Sequence, residues 1–149
     1  MAVTIPRNAT ILVCDAKKAL FLTNQGDADL PDIRVVEVVE AEPNPPTAEQ
    51  GTDRPGRYVD QPGGTHRSAF GQTDWHQQAE AAFAARLANL LDERHRAEER
   101  PLIIAAPPRM LGDLRRHLSP AIAKSVIAEL DEDLVPMPLD AIERKLVGR

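Results

Sequence analysis

The chain contains little cysteine and few aromatic residues. Its single cysteine, Cys14, excludes an internal disulfide and any zinc site built from several cysteines. Cys14 lies in the apolar run 11–14, where we expect a buried small side chain rather than a nucleophile, because a reactive thiolate needs a cationic and partly open setting. Aromatic residues make up 3% of the chain and apolar residues 42%, so the core must be aliphatic.

Long apolar runs are absent as well. No run approaches the roughly 18 residues that a membrane span requires, and residues 1–7 lack the apolar stretch of a secretory signal. We therefore expect a cytoplasmic protein with no membrane partner. The formal net charge of −5 argues against a protein that coats DNA or other nucleic acid non-specifically, but it leaves room for a local basic patch.

The 149 residues suit a single domain, 1–149, whose sheet begins with three strands. Short apolar or β-branched runs predict strands at 10–15, 18–23 and 32–41, and the tight connections between them predict an antiparallel meander. Downstream, the pattern predicts a long helix at 74–96, a strand at 102–106, a helix at 108–117, a short helical turn after Ser119, a strand at 125–130 and a helix at 138–147.

This order of elements predicts the fold class. A meander followed by β-α-β units favours an α/β fold with a five-stranded mixed sheet and helices on both faces. With right-handed crossovers the strand order is 3-2-1-4-5, which is ribonuclease-H-like. The helix at 74–96 is expected to begin at an Asp74 cap with Gln77 three residues later. Its sheet-facing stripe is expected to comprise Ala79, Phe83, Leu87, Leu90 and Leu91.

The segment between the third strand and the long helix differs from the rest of the chain. Residues 42–71 hold five of the 13 prolines and five of the eight glycines, so a long mobile loop is expected at 42–73. Spaced cations on a flexible backbone, with aromatic residues nearby, are typical of RNA contacts. The residues expected to bind RNA or another partner are Arg54, Arg57, Gly63, Gly64, Thr65, His66 and Arg67. A disordered insertion or a contact between copies of the chain explains the same composition.

The residues establish no catalytic centre, metal site or cofactor. Asp15 ends the first strand, where a two-metal nuclease would place an acid, but the fourth strand carries no acid and Glu80 is the one plausible second ligand. We expect Asp15 to form a turn instead. His66 and His76 lack a third ligand that the spacing would bring near them.

A candidate anion site lies at the start of the predicted helix 108–117. Helix N-termini present free amide donors to anions, and Arg109 adds a positive charge there. Arg115 and Arg116, near the other end of the helix, are equally explained as cations at a helix C-terminus.

Several motifs resemble the bacterial host-attachment protein family. They are Thr-Asp-Arg-Pro-Gly-Arg at 52–57, Gly-Gly-Thr-His-Arg at 63–67, Asp-Trp-His at 74–76, the run 102–115 that contains Ala-Pro-Pro-Arg and Leu-Gly-Asp-Leu-Arg, and Glu-Leu-Asp-Glu-Asp-Leu at 129–134. The similarity spans nearly the whole chain. The family name describes a phenotype, attachment to host cells, and identifies no reaction.

That family is in turn similar to the middle domain of archaeal and eukaryotic class-1 peptide release factors. In those factors a Gly-Gly-Gln loop before the long helix reaches the peptidyl-transferase centre. Here Gly63 and Gly64 match the two glycines, and Thr65 occupies the position of the glutamine. The resemblance implies a ribosome- or tRNA-associated accessory factor. The alternatives are a protein-interaction or self-associating module whose loop orders on a partner, and a residual peptidyl-tRNA esterase.

Overall fold

A computed structural model describes residues 3–41 and 63–148, with the side chains of the long helix described from Trp75 onward. Its elements, in chain order, are β1 Thr10–Cys14, β2 Lys18–Asn24, β3 Ile33–Glu40, α1 Gly63–Ala97, β4 Leu102–Ala105, α2 Pro108–His117, α3 Pro120–Ser125, β5 Val126–Leu130 and α4 Leu139–Val147. The strand predictions and the two later helices agree with these bounds to within one or two residues.

The five strands form one mixed sheet in the order β3-β2-β1-β4-β5. β1 is antiparallel to β2 and β2 to β3, whereas β4 is parallel to both β1 and β5. The predicted α/β class and the strand order 3-2-1-4-5 are confirmed. Since β1, β3, β4 and β5 run in the same direction, their carboxyl ends meet at one edge of the sheet.

Two aliphatic clusters cover the two faces of the sheet. On one face, α1, α2 and α3 pack against alternate strand residues such as Leu12, Phe21 and Ile104. On the other face, α4 and the N-terminal segment pack against the intervening residues, including Ile11 and Ile103. The helices on both faces are thus confirmed, and the period-2 alternation of the strands decides which side chain enters which cluster.

The prediction of where the long helix begins is wrong. α1 starts at Gly63, eleven residues before Asp74, so the Asp74–Gln77 pair does not cap it. Residues 65–73 contain no proline and one glycine, and a glycine costs a helix only about 1 kcal/mol. Residues 42–62 of the predicted loop 42–73 lie outside the described residues, while 63–73 are helical.

The C-terminal half of α1 attaches that helix to the sheet. Phe83, Leu87 and Leu91 are buried in the first cluster, and Leu90 packs against it. Ala79, predicted for the same stripe, is exposed. Ser119 also fastens α1, because its hydroxyl donates to Asp92 Oδ1 at 2.7 Å while accepting a hydrogen bond from the amide of Ile122 at the start of α3.

Candidate functional site

The described side chains of α1 that precede Phe83 lie outside the core. From Trp75 to Ala82 no side chain is buried, and Phe83 is the first buried one among the described side chains of α1. A 35-residue helix is about 52 Å long, whereas the longest strand, β3, spans only about 26 Å with eight residues. Because Ala97 connects within four residues to the start of β4, the excess length lies at the Gly63 end of α1, beyond the carboxyl edge of the sheet.

Some of the predicted contact residues lie among the described residues and some do not. Arg54 and Arg57 lie outside the described residues. Gly63, Gly64, Thr65, His66 and Arg67 form the first residues of α1 and are therefore helical rather than part of a loop. The structure thus places the glycine pair and Arg67 at the tip of the helical extension and says nothing of their side chains.

Asp15 has the turn-forming role that the sequence predicts. Its Oδ1 accepts hydrogen bonds from the amides of Lys17 and Lys18, both at 2.8 Å, and so closes the β1–β2 turn. Within the described part of the chain, no three His, Cys, Asp or Glu side chains are grouped so that they could hold a metal ion. His76 is exposed.

Cys14 is buried at the end of β1, as predicted. Burial, with smaller contributions from the nearby carboxylates of Asp15 and Asp133, raises the pKa of its thiol to about 12. A thiol with this pKa is almost entirely protonated at neutral pH and is a poor nucleophile. Its environment is therefore that of a core side chain.

Arg109 lies at the start of α2, beside a carboxyl group of α1. Pro107 and Pro108 begin the helix, and no side chain caps its first amides. Partial burial raises the pKa of Glu80 above its ordinary 4.5, the charge of Asp113 raises it further, and Arg109 lowers it. An anion bound at this helix start would thus meet the charge of Glu80 as well as that of Arg109.

The raised pKa of Glu80 predicts a pH-dependent effect on stability. Because the folded-state pKa lies above the unfolded one, the stability that Glu80 contributes is present at low pH and is lost as the pH rises through its folded pKa. We expect Glu80→Gln to raise Tm at pH 7, by on the order of 1 °C since the group is largely exposed, and to lose this advantage at pH 4. Thermal melts of both proteins measure the difference, with the exposed Glu93→Gln as control. An equal gain at both pH values contradicts the prediction.

A cavity of about 330 Å³ opens at the opposite edge of the sheet, beneath the end of α1. Its apolar floor includes Phe21 and Leu91, and Arg94 covers the Phe21 ring with its guanidinium carbon 4.3 Å from the ring centroid. Arg94 is paired with Glu37, and Arg100 with Glu98 and with the hydroxyl of Thr23. The arginines of this cavity are thus neutralised by residues of the chain itself. Local sequence patterns do not reveal this cavity, because its lining comes from six separate strands and helices.

Comparisons with known proteins identify relatives of the chain. Over 50 residues it is 42% identical to an uncharacterized protein, RP470, of Rickettsia prowazekii (strain Madrid E). That alignment covers 34% of this chain and 33% of RP470, so the match spans about a third of the relative's length. No described helix is both long and apolar enough to cross a membrane.

A family model agrees with the resemblance in the motifs and covers far more of the chain. The model is described as "Protein required for attachment to host cells", and it matches residues 10–146, from the first residue of β1 to the last turn of α4. The match therefore covers every described strand and helix except the last residue of α4. The chain belongs to the family of proteins required for attachment to host cells.

Proposed function

We propose that this attachment-family protein is an accessory factor that binds ribosomal or transfer RNA through the N-terminal half of α1 and the arginines that precede it. The observation that carries the proposal is the helical extension. α1 begins at Gly63, and none of its described side chains before Phe83, from Trp75 to Ala82, is buried. Because its C-terminal half is packed on the sheet, a helix of this length can hold its N-terminal residues away from the sheet, where a partner can reach them.

The distribution of charge supports an RNA contact at this end. Between residues 51 and 78 three arginines balance three aspartates, so the net charge of −5 comes wholly from the rest of the chain. The segment thus has no net negative charge to oppose the approach of a polyphosphate. Phe70, within the same stretch, is an aromatic residue of the kind on which unpaired bases stack.

The proposal assigns no chemical step to the protein. Thr65 has a shorter reach than the glutamine of the release-factor motif, and similarity to release factors remains a prediction from the motifs. Synthesis of surface components is one process through which an RNA-associated factor affects attachment to host cells. The family phenotype then follows without the protein itself touching a host.

Sedimentation through a ribosome gradient tests the proposal. Wild-type protein is expected in the ribosomal fractions at physiological salt, and the Arg54→Ala/Arg57→Ala/Arg67→Ala variant is expected to be largely lost from them. If each arginine contacts one phosphate, the slope of log K against log salt falls by about 2 to 3 in the variant.

A matched control removes the same charge elsewhere. Arg7, Arg96 and Arg144 are exposed on other parts of the molecule, so the triple alanine variant at these positions should co-sediment as the wild type does. Two results contradict the proposal: exclusion of the wild type from ribosomes, and equal binding by the wild type and the Arg54/Arg57/Arg67 variant. Association that salt does not weaken indicates a protein partner instead.

A further inference from the structure

The outer edge of β3 is exposed and carries three valines. β3 is the longest strand, lies at the end of the sheet, and has six exposed residues out of eight. Among these are Val35, Val36 and Val38, each about half exposed (47%, 54% and 49%). β3 has neither lysine nor proline, which commonly protect edge strands. Its protections are the charged residues Arg34, Glu37 and Glu40 and an irregularity in its pairing with β2. No described strand pairs with this edge.

The hydrogen bonds between β2 and β3 show which backbone groups point away from the sheet. The amide of Ala41 donates to Lys17 O at 2.8 Å, and the amide of Gln25 donates to Asp32 O at 2.8 Å. In an antiparallel ladder, hydrogen-bonded pairs alternate with pairs whose groups point outward. With the register of β3 on β2, the outward residues are Ile33 and Val35 in the first half of the strand, and Val38 and Glu40 in the second half.

A β-bulge separates these two halves. The register shifts between Phe21 and Leu22, so the outward residues of β3 are spaced by two, three and two positions. A regular strand presents outward groups at every second position and can therefore satisfy only one half of this edge. A second copy of β3, running antiparallel, presents the same spacing in reverse order. Because the spacings of two, three and two positions are the same in either direction, the outward groups of two antiparallel copies of β3 match along the whole strand.

We propose that β3 pairs with β3 of a second copy about a two-fold axis at the bulge, which joins two five-stranded sheets into one. In this register Val35 lies opposite Val38 of the second copy, and Ile33 lies opposite Glu40. All four outward residues of each strand then meet outward residues of the other. The valine pairs share the sheet face of Leu20 and Leu22, so pairing buries apolar side chains that the monomer exposes.

Charge is also complementary in this register. Arg34 lies opposite Val39 of the second copy, which places it diagonal to that copy's Glu37, within reach of a long side chain. Within one chain Arg34 pairs with Asp32 and Glu37 with Arg94, so this contact would join two ion pairs across the interface. Both residues lie on the face of α1, since they pair with Thr23 and Phe21 of β2. The arrangement is isologous, as expected for a two-fold dimer.

Mass measurements over a range of concentrations test the pairing. The wild-type mass is expected to rise from 16.4 kDa toward twice that value as the concentration increases toward about 1 mM, the range of a weak association. Val38→Lys should remain monomeric, because each lysine would be buried against the other copy. Ile127 on β5 is equally exposed (50%), so Ile127→Lys should dimerise like the wild type. A monomeric wild type, a dimeric Val38→Lys or a monomeric Ile127→Lys overturns the proposal.

Disulfide formation tests the register separately. Directly opposite residues of a hydrogen-bonded pair have Cα atoms about 5.5 Å apart, within the range that a disulfide spans. An equal mixture of Val35→Cys and Val38→Cys should cross-link on oxidation at least fivefold more than either variant alone. In the proposed register Val35 lies opposite Val38 of the second copy, and Val35 of the second copy is three positions, about 10 Å, further along the strand. A single variant therefore cannot bring its two cysteines together. Cys14 is buried and does not compete. Equal cross-linking of the single variants and the mixture overturns the register.

Discussion

Asn24→Asp is expected to lose on the order of 3–5 kcal/mol of unfolding free energy, a large part of the total stability of a domain this size. Asn24 is fully buried at the end of β2. Its Nδ2 donates to the carbonyl oxygens of Ile5 at 2.8 Å, Asp27 at 3.2 Å and Pro6 at 3.3 Å. A carboxylate cannot donate to any of them and places a negative charge against three carbonyl oxygens.

The other side of the Asn24 amide closes the turn before β3. Its Oδ1 accepts from the amides of Gly26 and Asp32, at 2.9 and 2.8 Å. Gly26 cannot be replaced without movement, because a Cβ would lie 2.1 Å from Leu30 O. Asn24 therefore joins the N-terminal segment, β2 and the turn in one network, and the loss of its donors affects all three.

Urea unfolding followed by circular dichroism measures the loss, with Asn89→Asp on the exposed surface of α1 as control. The buried carboxyl should have a raised folded-state pKa, so the destabilisation of Asn24→Asp should be smaller at pH 4 than at pH 7. A loss below about 1 kcal/mol at pH 7, or the same loss from Asn89→Asp, contradicts the assignment.

Leu87→Ala is expected to cost about 2–5 kcal/mol. Leu87 is completely buried among the side chains that attach α1 to the sheet. Truncation removes its apolar contacts and leaves a cavity that the fixed strands cannot fill. The same measurement on Leu90→Ala gives a matched comparison, because Leu90 lies on the same helix but is only partly buried. Its loss should be less than half that of Leu87→Ala, and equal losses would show that the burial of Leu87 does not anchor α1.

The Leu87 result also separates stability from RNA binding. Leu87→Ala weakens the anchored half of α1 and leaves the residues of Gly63–Ala82 unchanged. At temperatures where the variant remains folded, we therefore expect it to co-sediment with ribosomes as the wild type does. Substitutions in the helical extension should have the opposite profile, with little effect on unfolding and a large effect on co-sedimentation.

Much of the fold could be predicted because its signals are local. The β-branched and aliphatic runs at 10–14 and 102–105 are short and bounded, and Pro108 at the start of α2 is where a helix tolerates proline best. The start of α1 was predicted wrongly because the high glycine and proline content of residues 42–71 was taken to exclude a helix from 63–73 as well. Those residues contain nothing that forbids a helix, and a weak local cost is easily offset by a helix already anchored downstream.

The candidate sites were only partly predictable. The Gly63–Gly64 pair and Arg67 are visible in the sequence, but their position at the tip of a helical extension depends on where α1 begins and where it is anchored. Val35 and Val38 read as ordinary strand residues. Their exposure results from the position of β3 at the end of the sheet, and the bulge arises from its pairing with β2.

By itself the sequence determined the aliphatic core, the α/β class, the strand order and the family motifs. Each depends on composition, short-range periodicity or chain connectivity, and these need no knowledge of distant contacts. Tertiary structure alone decided which half of α1 is anchored, the side-chain hydrogen bonds that link Asn24 to Ile5, Pro6 and Asp32, the pairing of Arg94 with Glu37 and the outward groups of β3. Such features join residues far apart in the chain, and only packing and register bring them together.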